Sequence, residues 1–200
     1  VDSYQGRNSG VAFSFQDEDT IEVGNGEVAD YLTDIGDEAL VLTDQKVTVS
    51  GTTLSIADAK TIAADTEGVV TAEITSGSRV SKLTELRTPN GADAEENAWT
   101  ITIHSDDAEA ATAAQLNTIN AATSVAITSD EITALAASDL DDLATLNTNA
   151  AGFSDLTNLA AITLTDNGGG AGSVDYGTLE GIVDSYQGRN SGVAFSFQDE

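Results

Sequence analysis

The sequence predicts an α/β fold, specifically an elongated solenoid of stacked strand–helix units with a parallel sheet. Three observations support this prediction: a long duplication, short β-branched segments that recur along the chain, and Ala- and Leu-rich segments with helical spacing between them. Alternation of strand and helix favours parallel pairing, because parallel strands need crossover connections. Bead-like α/β repeat domains, each with its own core, are the alternative architecture.

The duplication joins two distant parts of the chain. Residues 183–200 repeat residues 1–18 letter for letter. A match of this length does not arise by chance, so we interpret residues 1–182 as one full period of a tandem repeat and residues 183–200 as the start of the next. Because such repeats stack on one another, we expect a longer array in which both copies of the segment adopt the same conformation, related by one axial step.

Short segments rich in Val, Ile and Thr are predicted to form the strands. Thr alternates with apolar residues in several of them, which suits a strand with one buried side and one wetter side. The segments are Val11–Phe15, Ala39–Leu42, Val47–Ser50, Val69–Thr75, Trp99–Ile103, Val125–Thr128, Ala160–Thr165 and Val193–Phe197.

Apolar residues between these strands recur at helical spacing. Ser55 and Ser138 stand at two of the predicted helix starts, each with Asp three residues later, as in a capping box. One strand–helix step spans about 30 residues, which is close to the period of known solenoid repeats. The stripes are Ile56, Ala59 and Ile62; Leu116, Ile119 and Ala122; Ile132, Leu135, Ala136, Leu140, Leu143 and Leu146; and Tyr176, Leu179, Ile182 and Val183.

The segment 16–46 departs from this pattern and is a candidate acidic insertion. It contains the turn signal Val23-Gly24-Asn25-Gly26, which is typical of a hairpin. The stretch from Gly24 to Ala29 also fits a loose G-x-G-x-x-A dinucleotide fingerprint. Its acidic flanks would repel a pyrophosphate, so a plain turn is the favoured interpretation.

The charge balance limits the classes of partner. The chain has 34 acidic and 7 basic residues, for a formal net charge of −27 at pH 7. This excess disfavours nucleic acid, since phosphate contacts need Lys or Arg. The sequence contains no apolar run long enough to span a bilayer, so no direct membrane insertion of this segment is expected.

Acidic residues clustered in loops suggest calcium, because hard cations bind carboxylate and carbonyl oxygens. The candidate ligands are Asp17, Glu18 and Asp19 in one cluster, and Asp166 and Asn167 before a Gly-rich run in another. Neither cluster fits the EF-hand loop pattern. Simple solvation of the acids is the competing interpretation.

Enzymatic activity is not expected from this sequence. His104 is the only His and the chain has no Cys, which excludes a zinc site built from His and Cys within one period. No G-x-S-x-G nucleophile motif is present. We therefore predict no catalytic residue, and no cofactor other than calcium.

Two stretches resemble repeats of known proteins. The stretch Val47–Lys60, continuing into Val69–Ile74, resembles repeats of giant bacterial cell-surface proteins, such as those of marine cyanobacteria. The stretch from Leu140 through Leu159 to Leu164 is similar, and it also resembles a loose leucine-rich repeat. The resemblance implies secretion, a cell-surface location and a role in adhesion, in a surface layer or in motility-related structures. It carries over no functional residue.

We therefore expect a structural repeat of a long extracellular fibre, sheath or surface-layer protein that assembles by end-to-end stacking of repeats. The expected partners are adjacent repeats of the same chain and other copies in a filament or layer. An adhesin or glycan-binding spacer that presents the loops 16–46 and 166–175 is the alternative.

Overall fold

A computed structural model describes residues 13–14, 20–37, 40–75, 77, 79–86, 97–104, 111–165 and 176–197. These residues form an α/β fold in which strands alternate with helices and every strand pair is parallel. The chain divides into two compact units. Unit 1 comprises Val1–Thr75, Glu85–Thr100 and Ala122–Ser124, and unit 2 comprises Ser76–Thr84, Ile101–Ala121 and Val125–Glu200.

Unit 1 contains a four-stranded parallel sheet with the strand order β2-β4-β5-β6, and a separate pair formed by β1 and β3. Two helices cross between the strands. The elements are β1 (Phe13–Ser14), β2 (Thr20–Val23), α1 (Val28–Gly36), β3 (Leu40–Val41), β4 (Lys46–Leu54), α2 (Ile56–Asp65), β5 (Val70–Ile74) and β6 (Ala98–Thr100).

Unit 2 contains a three-stranded parallel sheet with the strand order β7-β8-β9. Two isolated parallel bridges, Thr102 with Thr128 and Ile127 with Phe153, extend the same pairing outside the named strands. The elements are α3 (Val80–Leu83), α4 (Ala113–Asn120), β7 (Ala134–Ser138), α5 (Leu140–Thr148), a 3-10 turn (Ala150–Gly152), β8 (Ala161–Leu164), α6 (Tyr176–Arg189) and β9 (Ala194–Phe197).

Alternating side chains explain why the strands form where they do. In β5, Val70, Ala72 and Ile74 are buried, whereas Thr71 and Glu73 between them are exposed. One side of the strand therefore enters the core while the other meets solvent. The predicted strand segments each contain a strand or a parallel bridge where the structure describes them.

The apolar stripes predicted for α2 and α4 pack into the core, whereas the stripe predicted for α6 is buried only at Ile182, and its first member, Tyr176, is 73% exposed. In unit 1, α2 buries Ala59 and Ile62, and the Ser55 hydroxyl caps the helix by accepting the Asp58 amide at 3.1 Å. In unit 2, α4 buries Leu116 and Ile119. Each fully buried Leu or Ile contributes about 1.5–3 kcal/mol, so these stripes hold the helices to their units.

The predicted stripe from Ile132 to Leu146 was wrong in its first half. Leu135 and Ala136 lie in β7, and helix α5 begins only at Leu140. The cap of α5 is Asp139, whose side chain accepts the Asp142 amide at 2.7 Å, rather than Ser138. Pairing with β8 supplies the segment with a ladder of hydrogen bonds, so tertiary context overrides its helical spacing.

The predicted hairpin at Val23–Gly26 was also wrong. The turn leads from β2 into helix α1. Strand β2 instead pairs in parallel with β4, which buries Val23. The segment 16–46 therefore contributes β2, α1 and β3 to the fold of unit 1.

Candidate functional site

The structure does not test the predicted calcium ligands. Asp17, Glu18, Asp19, Asp166 and Asn167 all lie outside the described residues. Among the residues that the structure describes, no group of three or more His, Cys, Asp or Glu side chains is placed to hold a metal ion. Calcium binding therefore remains a prediction.

His104 lies in unit 2 beside Glu131. Its Nδ1 atom is 3.8 Å from Glu131 Oε1, and both side chains are about half exposed. An exposed pair of this kind contributes at most about 1 kcal/mol to stability. The contact therefore gives His104 a partly exposed acidic partner at the surface of unit 2.

The glycine-rich turn after β2 has the strand–turn–helix setting of a dinucleotide site. Its hydrogen bonding argues against that function. The Gly24 amide donates to Glu27 Oε2 at 2.7 Å, so a carboxylate takes the position that a bound phosphate would need. Negative charge at the start of α1 repels an anion, which supports the interpretation as a plain turn.

A cleft of about 530 Å³ lies in unit 1 between α1 and α2. Its lining is mainly apolar or small, with Lys60 and Asp65 as the charged members. Burial raises the pKa of the Asp65 carboxyl, and burial together with the Asp65 charge raises the pKa of Tyr31. The cleft lacks the convergent polar groups that orient a small ligand, so it is a weak candidate site.

The strongest candidate is the duplicated segment of unit 2, which we call the junction segment (residues 183–197). It begins in the last turns of α6 and continues through β9. Three of its side chains donate hydrogen bonds to backbone carbonyls of the preceding strand–helix step. These bonds are Tyr186 Oη to Leu143 O at 3.1 Å, Arg189 Nη2 to Asn147 O at 3.1 Å and Asn190 Nδ2 to Leu159 O at 2.8 Å.

Tyr186 is the centre of this contact. Its side chain is 2% exposed, and its ring meets Phe195 edge to face with the centroids 6.4 Å apart. The Arg189 guanidinium lies 5.6 Å from the centre of the same ring. Burial raises the pKa of Tyr186 while the Arg189 charge opposes that rise, so the phenol stays a neutral donor at physiological pH.

Strand β9 completes the junction segment as the edge of its sheet. It pairs with β8 over the whole strand, with Phe195 opposite Ile162 and Ser196 opposite Thr163. The hydroxyls of Thr163 and Ser196 are 3.5 Å apart. The other edge of β9 has no strand beside it among the described residues.

The N-terminal copy of this strand is β1, in unit 1. Phe13 and Ser14 correspond to Phe195 and Ser196 in the duplication, and both pairs of residues form parallel strands. Both copies are therefore strands at these two positions, which are the ones described in both copies, and their relation by one axial step stays a prediction. Strand β1 pairs with β3, with Phe13 opposite Leu40 and Ser14 opposite Val41.

Tyr186, Arg189 and Asn190 were not predicted as functional residues from the sequence. One signal was available: the duplication repeats all three side chains at Tyr4, Arg7 and Asn8, although they are not core aliphatic residues. Their acceptors are backbone carbonyls 31 to 43 residues away, and carbonyls leave no mark in a sequence.

Comparison of the chain with protein-family models, with curated proteins and with solved structures finds no match. Among the described residues, no helix has the length and apolar character needed to cross a membrane. The geometry of the junction segment is therefore the main guide to function.

Proposed function

We propose that this chain is a structural repeat of a long extracellular fibre, sheath or surface-layer protein, and that its repeats stack end to end as a solenoid. The observation that carries the proposal is the junction segment, in which an exactly duplicated sequence attaches to the preceding strand–helix step. It does so through three side chain–carbonyl hydrogen bonds and one parallel strand. A sequence that begins a new period and docks on the previous one is what a stacked array requires.

Repeated lateral contacts within each unit support the same mechanism. In unit 1, Thr66 and Thr123 follow α2 and α4 in the chain. The Thr66 hydroxyl donates to the Gln45 carbonyl just before β4, 21 residues earlier, and the Thr123 hydroxyl donates to the Trp99 carbonyl in β6, 24 residues earlier. In unit 2, Ser129 donates to the Asp155 carbonyl 26 residues away, and Ser138 accepts the Ala113 amide across 25 residues. The separations of 21 to 26 residues are close to the length of one strand–helix step, so each of these bonds joins neighbouring steps, as the proposed stacking requires.

These hydrogen bonds between steps use buried polar side chains. Thr66, Thr123, Ser129 and Ser138 are each at most 5% exposed. A buried hydroxyl is tolerated in a core when it is hydrogen-bonded, and here its partner is the backbone of a neighbouring step. Such bonds fix the register between steps while the apolar stripes supply most of the burial energy.

The acidic surface suits an extracellular array. A net charge of −27 keeps such an array soluble and reduces lateral association with other anionic surfaces. The proposed location rests on this charge and on the resemblance to bacterial cell-surface repeats. An antibody against the chain is expected to label intact source cells, and labelling only after permeabilisation would contradict the location.

Stacking is tested by the stability of chains with one, two and three periods. If each repeat buries the end of the previous one, the melting temperature rises with the number of periods and then levels off. Independent beads would melt at one temperature whatever their number. An unchanged melting temperature from one to three periods therefore contradicts the proposed function.

A further inference from the structure

We propose that β9, the strand of the junction segment, holds two partners at once when periods follow one another, and we call it the junction strand. One partner is β8 of the preceding period, and the other is the segment Leu40–Val41 of the following period, a second copy of this sequence. The open edge of β9 is then the docking site for that segment. This inference rests on the proposed function, since it specifies how consecutive repeats join.

The duplicated strand sequence has two different partners in the same chain. As β1, Phe13–Ser14 pairs with β3, and as β9, Phe195–Ser196 pairs with β8. Both ladders are parallel. In an array, each internal copy of the strand follows β8 of one period and precedes β3 of the next, so both partner strands are present in the same chain.

In the proposed array the two partners use opposite edges of the strand. The crossover from β8 to β9 contains α6, and the crossover from β1 to β3 contains β2 and α1. Crossovers between parallel strands of one sheet are almost always right-handed, so crossovers on the same face of the sheet add each new strand on the same side of the previous one. With both crossovers on one face, as stacked strand–helix units require, β8 takes one edge of the shared strand and β3 takes the other.

Backbone hydrogen bonds identify the groups that remain open. The Ala194 amide donates to the Ala160 carbonyl at 2.9 Å, which turns Ala194 towards β8. Because successive residues of a strand turn their amides and carbonyls to opposite edges, Phe195 and Phe197 present theirs at the open edge. An edge of this kind is a template for another strand.

The buried and exposed faces of the three strands match in the proposed register. On the inner face, Ile162 is fully buried, Phe195 is half-buried, and Leu40 is buried. On the outer face, Thr163 is half-buried, whereas Ser196 and Val41 are exposed. The register Phe195 with Leu40 and Ser196 with Val41 therefore keeps apolar side chains inside and polar or exposed ones outside, whereas a slip of one residue would reverse them.

Phe197 provides a further sign of a missing neighbour. Its side chain is 54% exposed although the residue opposite it on β8, Leu164, is buried. Extending the register by one residue sets Leu42 of the following period beside Phe197, and Leu42 is itself buried. Docking of the second copy would cover this aromatic ring.

The test compares the 200-residue chain with a two-period chain, made of residues 1–182 followed by residues 1–200. The sequence has no Cys, so pairs of cysteines can be introduced cleanly. Neighbouring strands lie about 4.8 Å apart, within the Cα separations that a disulfide spans. One variant joins the two strands of the first ladder with Thr163→Cys and Ser196→Cys. The second variant combines Ser196→Cys with Val41→Cys in the second period.

Both variants of the two-period chain are expected to form the disulfide. The control variant combines Ala194→Cys with Val41→Cys in the second period. Ala194 lies on the same face of the strand as Ser196 but two residues away from the proposed register. The disulfide yield of this control is expected to be at least about tenfold lower. Formation of one disulfide but not the other would overturn the inference, because the strand would then choose a single partner.

Hydrogen exchange gives a second readout that needs no substitution. The amides of Phe195 and Phe197 are expected to exchange at least about tenfold more slowly in the two-period chain than in the 200-residue chain. Equal exchange would contradict docking at this edge. If the melting temperature rises with the number of periods but the second disulfide and the slower exchange are not observed, the repeats stack but the proposed double pairing of the junction strand is wrong. If the melting temperature does not rise, the proposed function itself is wrong.

Discussion

Replacing Tyr186 by Phe removes one hydrogen bond from the junction segment and leaves the ring in place. The bond joins Tyr186 Oη to the Leu143 carbonyl over 3.1 Å, and the side chain is 2% exposed. A buried bond of this kind contributes about 1 kcal/mol, and the Leu143 carbonyl keeps its place in the hydrogen bonding of α5. For a chain of this size that corresponds to a melting temperature lower by about 2–4 °C.

Replacing Tyr186 by Ala also removes the ring. The cavity and the lost edge-to-face contact with Phe195 raise the expected cost to about 3–5 kcal/mol. Since Tyr186 ties α6 to α5, hydrogen exchange should accelerate first in residues 176–197. The measurement is urea and thermal unfolding of the 200-residue chain, with exchange followed residue by residue.

Tyr176 supplies a matched control on the same helix. Its side chain is 73% exposed, so Tyr176→Phe is expected to change stability by less than about 0.5 kcal/mol. Equal effects of the two Phe substitutions, or a loss below about 1 kcal/mol for Tyr186→Ala, would refute the reasoning that the junction segment is anchored by this residue.

Three further predictions follow from other parts of the chain. A Cβ atom at Gly68 would meet two backbone carbonyl oxygens, so Gly68→Ala is expected to cost about 1–3 kcal/mol in urea unfolding. Gly36→Ala, where space is open, should be neutral or stabilising, and equal costs would contradict the argument. Burial raises the pKa of the Asp65 carboxyl in the folded chain. Above this raised pKa the ionised carboxyl lowers the free energy of unfolding, and this cost disappears once the pH falls below the pKa that Asp65 has in the unfolded chain. Asp65→Asn should therefore raise the melting temperature at pH 7 but not near pH 3; the same gain from the exposed Glu67→Gln, or a gain independent of pH, would count against this. Calcium is expected to raise the melting temperature, an effect reversed by chelation and absent when the five candidate ligands are replaced by Ala; no shift at millimolar calcium would end that prediction.

The class of the fold could be predicted from local patterns. Alternation of Thr with apolar residues marks the strands, and the Ser55 hydroxyl with Asp58 three residues later marks the start of α2. These signals are local, because they depend on the burial of one side of a strand or on the amides of one helix turn. They identified the parallel α/β class without naming which strands pair.

The errors arose where distant parts of the chain decide the structure. Leu135 has helical spacing to Leu143 but pairs with Ile162 in a strand. The turn at Gly24 has hairpin chemistry, but the strand before it gains burial by pairing with β4. Sequence spacing does not reveal such partners, which lie more than twenty residues away.

The contacts of the candidate site were also not predictable from the sequence, because they too join distant residues. The duplication located the junction segment, yet it did not reveal that Tyr186, Arg189 and Asn190 bind carbonyls of the preceding step. Carbonyl acceptors are present at every residue, so only their placement in space selects three of them.

The axial length added by each period tests the central claim most directly. Electron microscopy of chains with two, three and four periods would give the increase in particle length per period. Six strand–helix steps at one strand spacing each predict about 30 Å per period for a stacked solenoid. An increase of about 60–90 Å per period, two or three times that prediction, would show separate beads and contradict the account.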